Sequence, residues 1–418
     1  MKILFLNRSD STGGAAVACM RLLNSLRTEG IDASILVLDK TTSNASVFSL
    51  GGKSYCYYKG LFNLAIEKAI FKFWEVNSSI RFAFSMSNTG EDVIHFIKNQ
   101  KPDIIHIHWI NQGFVSVRQL SKIMSLGIPV VWTLHDCWAF TGGCHYPSSC
   151  ERYTENCGNC PFLRNPYSSD ISFHQLKYKI KIYTSAKMQI VTCSNWLKNI
   201  ASRSKALQNQ EIIAIPNPID VSVFSPINKY EARIALSLDP KKQYLLFGAG
   251  NIYDKRKGLI YLFESLQLLK QQQSINMDNI VLLAFGKGYI PDNFGFKVVN
   301  FSTVTSIEKL VEIYSAADAF ILPSLEDNLP NTVMESLACG TPVVAFASGG
   351  VPEMIINEKT GFLANLADTI DLSKCISKIL LHPDKNAMNI ASRQFVLDTY
   401  SPSMIAKQYI DVYKSVLE

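Results

Sequence analysis

"ADAFILPSLEDNLPNTVMESLACGTPVVAF" (residues 317–346) decides the fold class. It opens on one short apolar run, "ADAFILPS" (317–324), and closes on another, "PVVAF" (342–346), each with the length and content of a buried parallel strand. Between them Pro330 suits the first turn of a helix, Asn328 or Asn331 offers a cap, and Gly340 supplies a left-handed stop. The stretch therefore predicts strand, loop, helix and strand, the repeating unit of an α/β sheet. In such units ligands lie beyond the carboxyl ends of the strands, where the helix points its amides outward. Glu326 and Asp327 fall in that loop, and Glu335 falls one to two turns into the helix. Acids at a helix start complement its dipole, which accounts for Glu326 or Asp327 but not for Glu335.

The same alternation runs outward through the chain. "KILFLN" (2–7), "DASILVL" (32–38), "DIIHIHW" (103–109), "IPVVWTLHD" (128–136) and "MQIVTCS" (188–194) predict one sheet. "YLLFGAG" (244–250), "IVLLAFGKG" (280–288), "KVVNF" (297–301) and the two runs above predict a second. Two Rossmann-like α/β domains with parallel sheets follow, over 1–215 and 216–400, with a final helix over 401–418. The joint is the proline-rich "IPNPIDVSVFSP" (215–226).

At 418 residues, 47% of them hydrophobic, the chain is long enough for two such cores and too apolar for disorder. No run approaches a membrane span, and "MKILFLN" is too short for a signal peptide's core, so a cytosolic protein is expected. The net charge of +6 divides into +9 over residues 1–215 and −3 over the rest. The first half is thus suited to an anionic partner such as a membrane leaflet or a nucleic acid, or it is a solvated basic surface.

Neither half carries G-x-G-x-x-G between a strand and a helix, which disfavours a nicotinamide enzyme. The first strand instead runs into "NRSDSTGGAA" (7–16), where Gly13 and Gly14 either bring backbone close to a ligand or permit a tight turn. "GAGNIYDKRKGL" (248–259) opens the second domain in a similar way. Lys255, Arg256 and Lys257 sit there at a helix start, where cations oppose the dipole, so an anionic ligand is the better explanation.

Taken in order and spacing, "GAGN..DKRKG", "FGKG", the 317–353 stretch ending in "GGVPE", and "TGFL" resemble the nucleotide-sugar-binding half of glycosyltransferase family 4. "GGAA", "TLHD", "SNWL" and "PNPID" agree in the first half, so the likeness covers nearly the whole chain. The resemblance implies the GT-B fold, with two Rossmann-like domains facing across a cleft and a C-terminal helix returning to the N-terminal domain. It implies a retaining transfer from a UDP- or GDP-linked sugar to a growing, lipid-linked saccharide of a bacterial surface polysaccharide, in the manner of capsular, exopolysaccharide, O-antigen and colanic acid enzymes.

The family pairs two acids across seven residues, which selects Asp327 with Glu335. By that analogy Asp327 holds hydroxyls of the sugar, Glu335 holds the ribose, and the amides of Asn331, Thr332 and Val333 meet the diphosphate. Gly13 and Gly14 line the donor side, and Glu353 marks its edge. The family's usual arginine position is Asn251 here, so Arg256 takes its place while Lys257 matches the family lysine. Fixed cations stabilise the departing diphosphate, so no metal is required for catalysis, and Asp-x-Asp pairs are absent. His135, ending the strand in "TLHD", matches a family histidine near the donor sugar. His106 and His108 alternate on one strand and are read as packing or lining.

Four cysteines, Cys144, Cys150, Cys157 and Cys160, cluster in a Cys-rich insert (137–165). Structural zinc, disulfides and unligated thiols all remain open. "YCYYKGLFNLAIEKAIFKFW" (55–74) interleaves aromatics with lysines, either as a helix lying on a membrane or on a lipid-linked acceptor, or as a core-facing helix with a polar rim; "LKYKIKIY" (176–183) is basic with ambiguous period. Rival functions are a nucleotide-sugar epimerase or phosphorylase, and a nucleic-acid or interaction protein using the basic half and the cysteines. The family reading expects a nucleotide sugar and a saccharide as partners, no nucleic acid, and peripheral membrane contact through the N-terminal domain.

Overall fold

The computed structural model describes residues 1–50, 53–184, 186–271, 275–292 and 295–418, with the side chains of 53–57 and 79 outside the description. The chain divides into two compact units, one of Met1–Pro218 with Ser403–Glu418 and one of Ile219–Pro402.

In the first unit β1 (Lys2–Ser9), β2 (Asp32–Asp39), β3 (Val47–Ser49), β4 (Ile104–Ile107), β5 (Val130–Leu134), β6 (Met188–Thr192) and β7 (Ile212–Ala214) form one parallel sheet. Its order is β3-β2-β1-β4-β5-β6-β7. Ile3 pairs with both Ala33 and Ile104, so β1 is the centre from which the chain winds both ways. The apolar strands are buried on both faces. One face packs Leu4, Leu6, Ile105 and Trp132 against Trp138, Leu176 and Tyr183. The other packs Phe5, Ile35 and Val191 against Leu22 and Leu23 of the helix Gly14–Thr28 and against Ile405 and Tyr409 of the helix Pro402–Leu417. That last helix therefore completes the core of the unit that the chain had left nearly two hundred residues earlier.

In the second unit β8 (Gln243–Asn251), β9 (Ile280–Lys287), β10 (Lys297–Asn300), β11 (Ala319–Leu322), β12 (Val343–Phe346) and β13 (Gly361–Ala364) form a second parallel sheet, ordered β10-β9-β8-β11-β12-β13. Leu245, Leu282, Ile321 and Val344 meet Leu262, Leu266 and Ile376 of the covering helices. The short strands β3, β7 and β13 extend the sheets beyond what periodicity predicts. Each sheet reverses its winding at one place, between β1 and β4 and between β8 and β11. At such a reversal neighbouring loops leave in opposite directions and open a crevice at the carboxyl ends of the strands.

Candidate active site

The crevice of the second sheet brings together residues seventy positions apart. After β8 the chain makes a single turn of 3₁₀ helix at Lys255–Lys257, whose Arg256 N–H donates to the side chain of Asp254 at 3.0 Å. Gly258 follows at φ 72°, and a Cβ there would lie 1.8 Å from the carbonyl oxygen of Pro323, so only glycine lets this turn close on the loop after β11. Leu325 N–H donates to the Arg256 carbonyl at 2.8 Å, stitching the two loops together.

The carboxylate of Asp327 is the centre of the arrangement. One oxygen accepts from the Arg256 guanidinium at 3.0 Å and the other from the Lys257 ammonium at 2.7 Å. Burial alone would raise its pKa, but Lys257 and Arg256 outweigh burial and hold the carboxyl below its ordinary value. An ionised carboxylate has about four lone-pair positions, so capacity remains on Asp327 for hydroxyl donors. Glu326 differs: its backbone carbonyl, not its carboxylate, takes the second Arg256 bond, at 2.6 Å. Gly349, at φ 56°, lies so close that a Cβ would come within 1.9 Å of the Asp327 carbonyl oxygen, and Gly350 N–H donates to that oxygen at 2.9 Å. The "GGVPE" segment is thereby pressed against Asp327, and Glu353 sits three residues beyond Gly350 on an exposed turn.

The helix after this loop is Asn331–Ala338, with Pro330 at the cap position. Asn328 or Asn331 was expected to cap it, yet no side chain does so and no acid occupies the first turn. The proline itself fixes the entry, and Gly340 ends the element at φ 73°. Asn331 and Thr332 are partly exposed at this start, while Val333 is buried. Glu335 is nearly buried and accepts from the Tyr314 hydroxyl at 3.0 Å. Tyr314 lies on the preceding helix, and no sequence motif marks it. Asn251 ends β8, and its side chain turns back to its own loop, accepting from Tyr253 N–H at 3.0 Å.

In the first unit Gly13 caps the helix Gly14–Thr28 at φ 93°, with no side-chain cap and no acid in the first turn. Both glycines are exposed, and a Cβ on Gly13 would meet nothing within 4 Å. His135 follows β5 in a relay of rings: its Nε2 lies 2.9 Å from Nδ1 of His108, and its Nδ1 lies 3.6 Å from the Cys193 sulfur. Burial lowers the pKa of His135 to about 4, so the ring is neutral at pH 7. The buried Nε2 of His108 has no hydrogen-bond partner. A buried orphan lone pair costs less than a buried orphan N–H, so the His108 proton belongs on Nδ1, donating to His135. His135 then carries its proton on Nδ1, toward Cys193, whose thiol donates to Asn217 at 3.2 Å. His106 is a packing residue, tied to the Tyr413 hydroxyl at 2.7 Å and to Thr133 at 2.8 Å.

Sequence reasoning missed the neighbour of His135. Asp136 accepts from the Trp109 indole and from His145, each at 2.7 Å, and the far nitrogen of His145 meets Ser85 at 2.9 Å. This chain of bonds fastens the Cys-rich insert beside the end of β5. The signal available was the "HD" pair and the lone histidine within the insert. Burial raises the thiol pKa values of the cluster, to about 11 for Cys157 and about 12 for Cys160, with Cys144 higher still. Among the described residues, no three His, Cys, Asp or Glu side chains converge as a metal site. Cys144 feels the charge of Cys160, Cys157 and Cys150, so the four thiols lie near one another. Lys179, in the basic stretch of ambiguous period, is buried in the helix Ile171–Thr184. It donates to the Trp138 and Thr141 carbonyls, and burial lowers its pKa to about 7.

Comparison with known proteins bears on both units. The family described as Glycosyltransferase Family 4 matches residues 12–223, and that described as Glycosyl transferases group 1 matches residues 243–382. A relative assigned to colanic acid biosynthesis as a glycosyl transferase, WcaC of Escherichia coli (strain K12), is 27% identical over 337 residues, covering 78% of this chain and 77% of its own. The sulfoquinovosyl transferase SQD2 of Arabidopsis thaliana is 27% identical over 69% of this chain and 52% of its own length. Among solved structures, sucrose-phosphate synthase from Thermosynechococcus elongatus superposes with a TM-score of 0.69 at 19% identity, over 100% of this chain and 99% of its own. HepE of Anabaena, solved with UDP and glucose, gives 0.64 at 14% identity, over 99% and 100%. The chain is a glycosyltransferase with the GT-B fold and belongs to glycosyltransferase family 4.

Proposed function

We propose that the chain transfers a sugar, with retention of anomeric configuration, from a UDP- or GDP-linked donor to a growing, lipid-linked saccharide of a surface polysaccharide. The observation that carries this reading is the Arg256–Lys257–Asp327 cluster at the winding reversal of the second sheet, beside the uncapped start of the helix Asn331–Ala338. Breaking a sugar–phosphate bond builds negative charge on the leaving diphosphate. Arg256 and Lys257, held in place by Asp327, stabilise that charge without reorganising solvent, and the amides of Asn331 to Val333 take further phosphate oxygens.

Asp327 keeps both cations aligned and offers its remaining lone pairs to the sugar hydroxyls. Glu335, with one oxygen oriented by Tyr314, accepts from the ribose hydroxyls. The leaving diphosphate assists in deprotonating the acceptor on the same face, which yields retention. His135, which matches the family histidine near the donor sugar, is neutral and so does not serve as a cationic acid.

Thermal stabilisation by a panel of nucleoside diphosphates and nucleotide sugars tests the proposal. A ligand at a hundred times its dissociation constant adds about 2.7 kcal/mol of stability. The expected result is stabilisation by one nucleotide series, followed by transfer whose product keeps the donor's anomeric configuration by NMR. An inverted product overturns the retaining mechanism, and indifference to every nucleotide overturns the donor site.

A further inference from the structure

The second unit holds a cavity of about 380 Å³ apart from the Arg256–Lys257–Asp327 cluster. Gly340, which follows the helix Asn331–Ala338, lies in its wall, so about 12 Å of helix separates the cavity from the helix start at Pro330. Lys229 and Arg393 line it, together with the hydroxyls of Ser315 and Thr341 and the amides of Asn386 and Asn389; among the described residues no carboxylate does. Ile227 and Ile390 add exposed apolar surface to the same lining.

The cations around this cavity outnumber the acids that neutralise them. Asp318 accepts from Arg233 at 2.8 Å, from Lys229 at 3.1 Å and from Tyr244 N–H at 2.7 Å. Lys385, which begins the helix Lys385–Tyr400, feels the charge of Asp318, Lys229 and Arg233: burial lowers its pKa, Asp318 raises it, and the two cations lower it again. One carboxylate thus serves three cations. Arg393 is half-buried and donates to the backbone carbonyls of Val221, Phe224 and Ala338 at 2.7, 2.6 and 2.9 Å. These bonds occupy three of its five N–H groups and bring it no negative charge. A cation at the end of the helix Asn331–Ala338 complements its dipole, which accounts for Arg393 but not for the surplus at Lys229, Arg233 and Lys385. The half of the chain that carries them has a balance of −3, so the surplus is local and not part of a general basic surface.

A small phosphorylated molecule matches each part of this lining: cations for the phosphate, hydroxyls and amides for its polar substituents, and apolar contact for its carbon frame. We infer that the cavity is a binding site for a phosphorylated small molecule of about sugar phosphate size, with Arg393 and Lys229 on the phosphate and Asn386 and Asn389 on the hydroxyls. The ammonium of Lys229 keeps two donors beyond its bond to Asp318 for that purpose. None of these residues belongs to the Arg256–Lys257–Asp327 cluster, so the site stands independently of the donor proposed there.

Calorimetric titration of the full chain with glucose 1-phosphate, inorganic phosphate and glucose tests it. Glucose 1-phosphate should bind most tightly, phosphate more weakly and glucose not measurably, and added salt should weaken the binding. Asn386 is exposed in the first turn of the helix Lys385–Tyr400, where an acid complements the dipole. Asn386→Asp should therefore keep or raise the thermal midpoint while weakening glucose 1-phosphate binding by about tenfold through charge repulsion, and Lys229→Gln should weaken it severalfold. Both variants should keep the parent's affinity for nucleoside diphosphates, and Arg256→Ala should keep the parent's affinity for glucose 1-phosphate, so failure of this site and failure of the proposed donor site give different results. Glucose 1-phosphate binding that is lost in Arg256→Ala and untouched by Asn386→Asp overturns the inference, because the phosphate then sits at the other cluster. Absence of glucose 1-phosphate binding at millimolar concentration, or equal binding of glucose, also overturns it.

Discussion

Replacing Asp327 by asparagine keeps the shape of the loop after β11 and removes one charge. The aspartate receives two charge-assisted bonds, at 3.0 Å from Arg256 and 2.7 Å from Lys257, and its side chain is 8% exposed. Each such bond is worth about 1.5–3 kcal/mol. Asparagine can accept from only one cation and turns its NH₂ toward the other. Arg256 and Lys257 are 28% and 18% exposed, so water recovers part of the loss. A net destabilisation of about 2–3 kcal/mol follows, which for a domain of this size lowers the thermal midpoint by about 4–12 °C.

The pH dependence separates charge from packing. The folded pKa of Asp327 is depressed below its ordinary 3.8. Its stabilisation is therefore fully present above the unfolded value and is lost as pH falls through the folded one. Urea unfolding followed by far-UV circular dichroism should show a constant gap between parent and Asp327→Asn from neutral pH down to about 5, narrowing below about 4. A gap that persists undiminished at low pH, or no gap at neutral pH, refutes the ion-pair account.

Arg256→Ala and Lys257→Ala should each lower the turnover of sugar transfer by about 10²-fold, the scale of losing one transition-state donor; full activity in both variants removes them from the mechanism. Glu335→Gln should weaken nucleoside diphosphate binding in a calorimetric titration by about tenfold, whereas Glu326→Gln should change little; sugar transfer lost in Glu326→Gln but kept in Asp327→Asn moves the first acid of the pair by one residue. Lys179, buried with a pKa lowered to about 7, is neutral above that pH in the folded chain and still protonated when unfolded. The unfolded state then binds more protons, so stability rises with pH. Against Lys179→Met, the parent should gain about 1 kcal/mol per unit between pH 7 and 9 in urea unfolding, and a flat difference discards the buried-amine reading.

Local chemistry carries far in this chain. The apolar runs from Lys2 to Phe346 mark most strands of both sheets because parallel strands buried on both faces leave a continuous apolar signal. The breakers Pro330 and Gly340 bracket the helix Asn331–Ala338, and the family's spacing, carried onto Asp327 and Glu335, picks out the acid that the cations hold. Strands β3 and β7 are too short, at three residues each, for any periodicity to register. They exist because a neighbouring strand offers a free edge.

The residues of each of the loops after β8 and β11 are adjacent in sequence, and the resemblance to the family names them. What joins them is not local. Sequence supplied the cations and the acid seventy residues apart, but only the β8–β11 reversal and the close approach of Gly258 to Pro323 make one site of them. The same holds for Tyr314 on Glu335, for His145 on Asp136, and for His106 on Tyr413 across 307 positions. The helix Lys53–Phe71 shows the limit most clearly. Its composition fits either a core helix or a surface one, and which face points inward depends on whether Met86 and Phe84 stand ready to satisfy Glu67 and Lys68. Periodicity defines the faces of a helix; tertiary packing chooses which of them meets the core, because burial free energy belongs to the pair of surfaces and not to either alone.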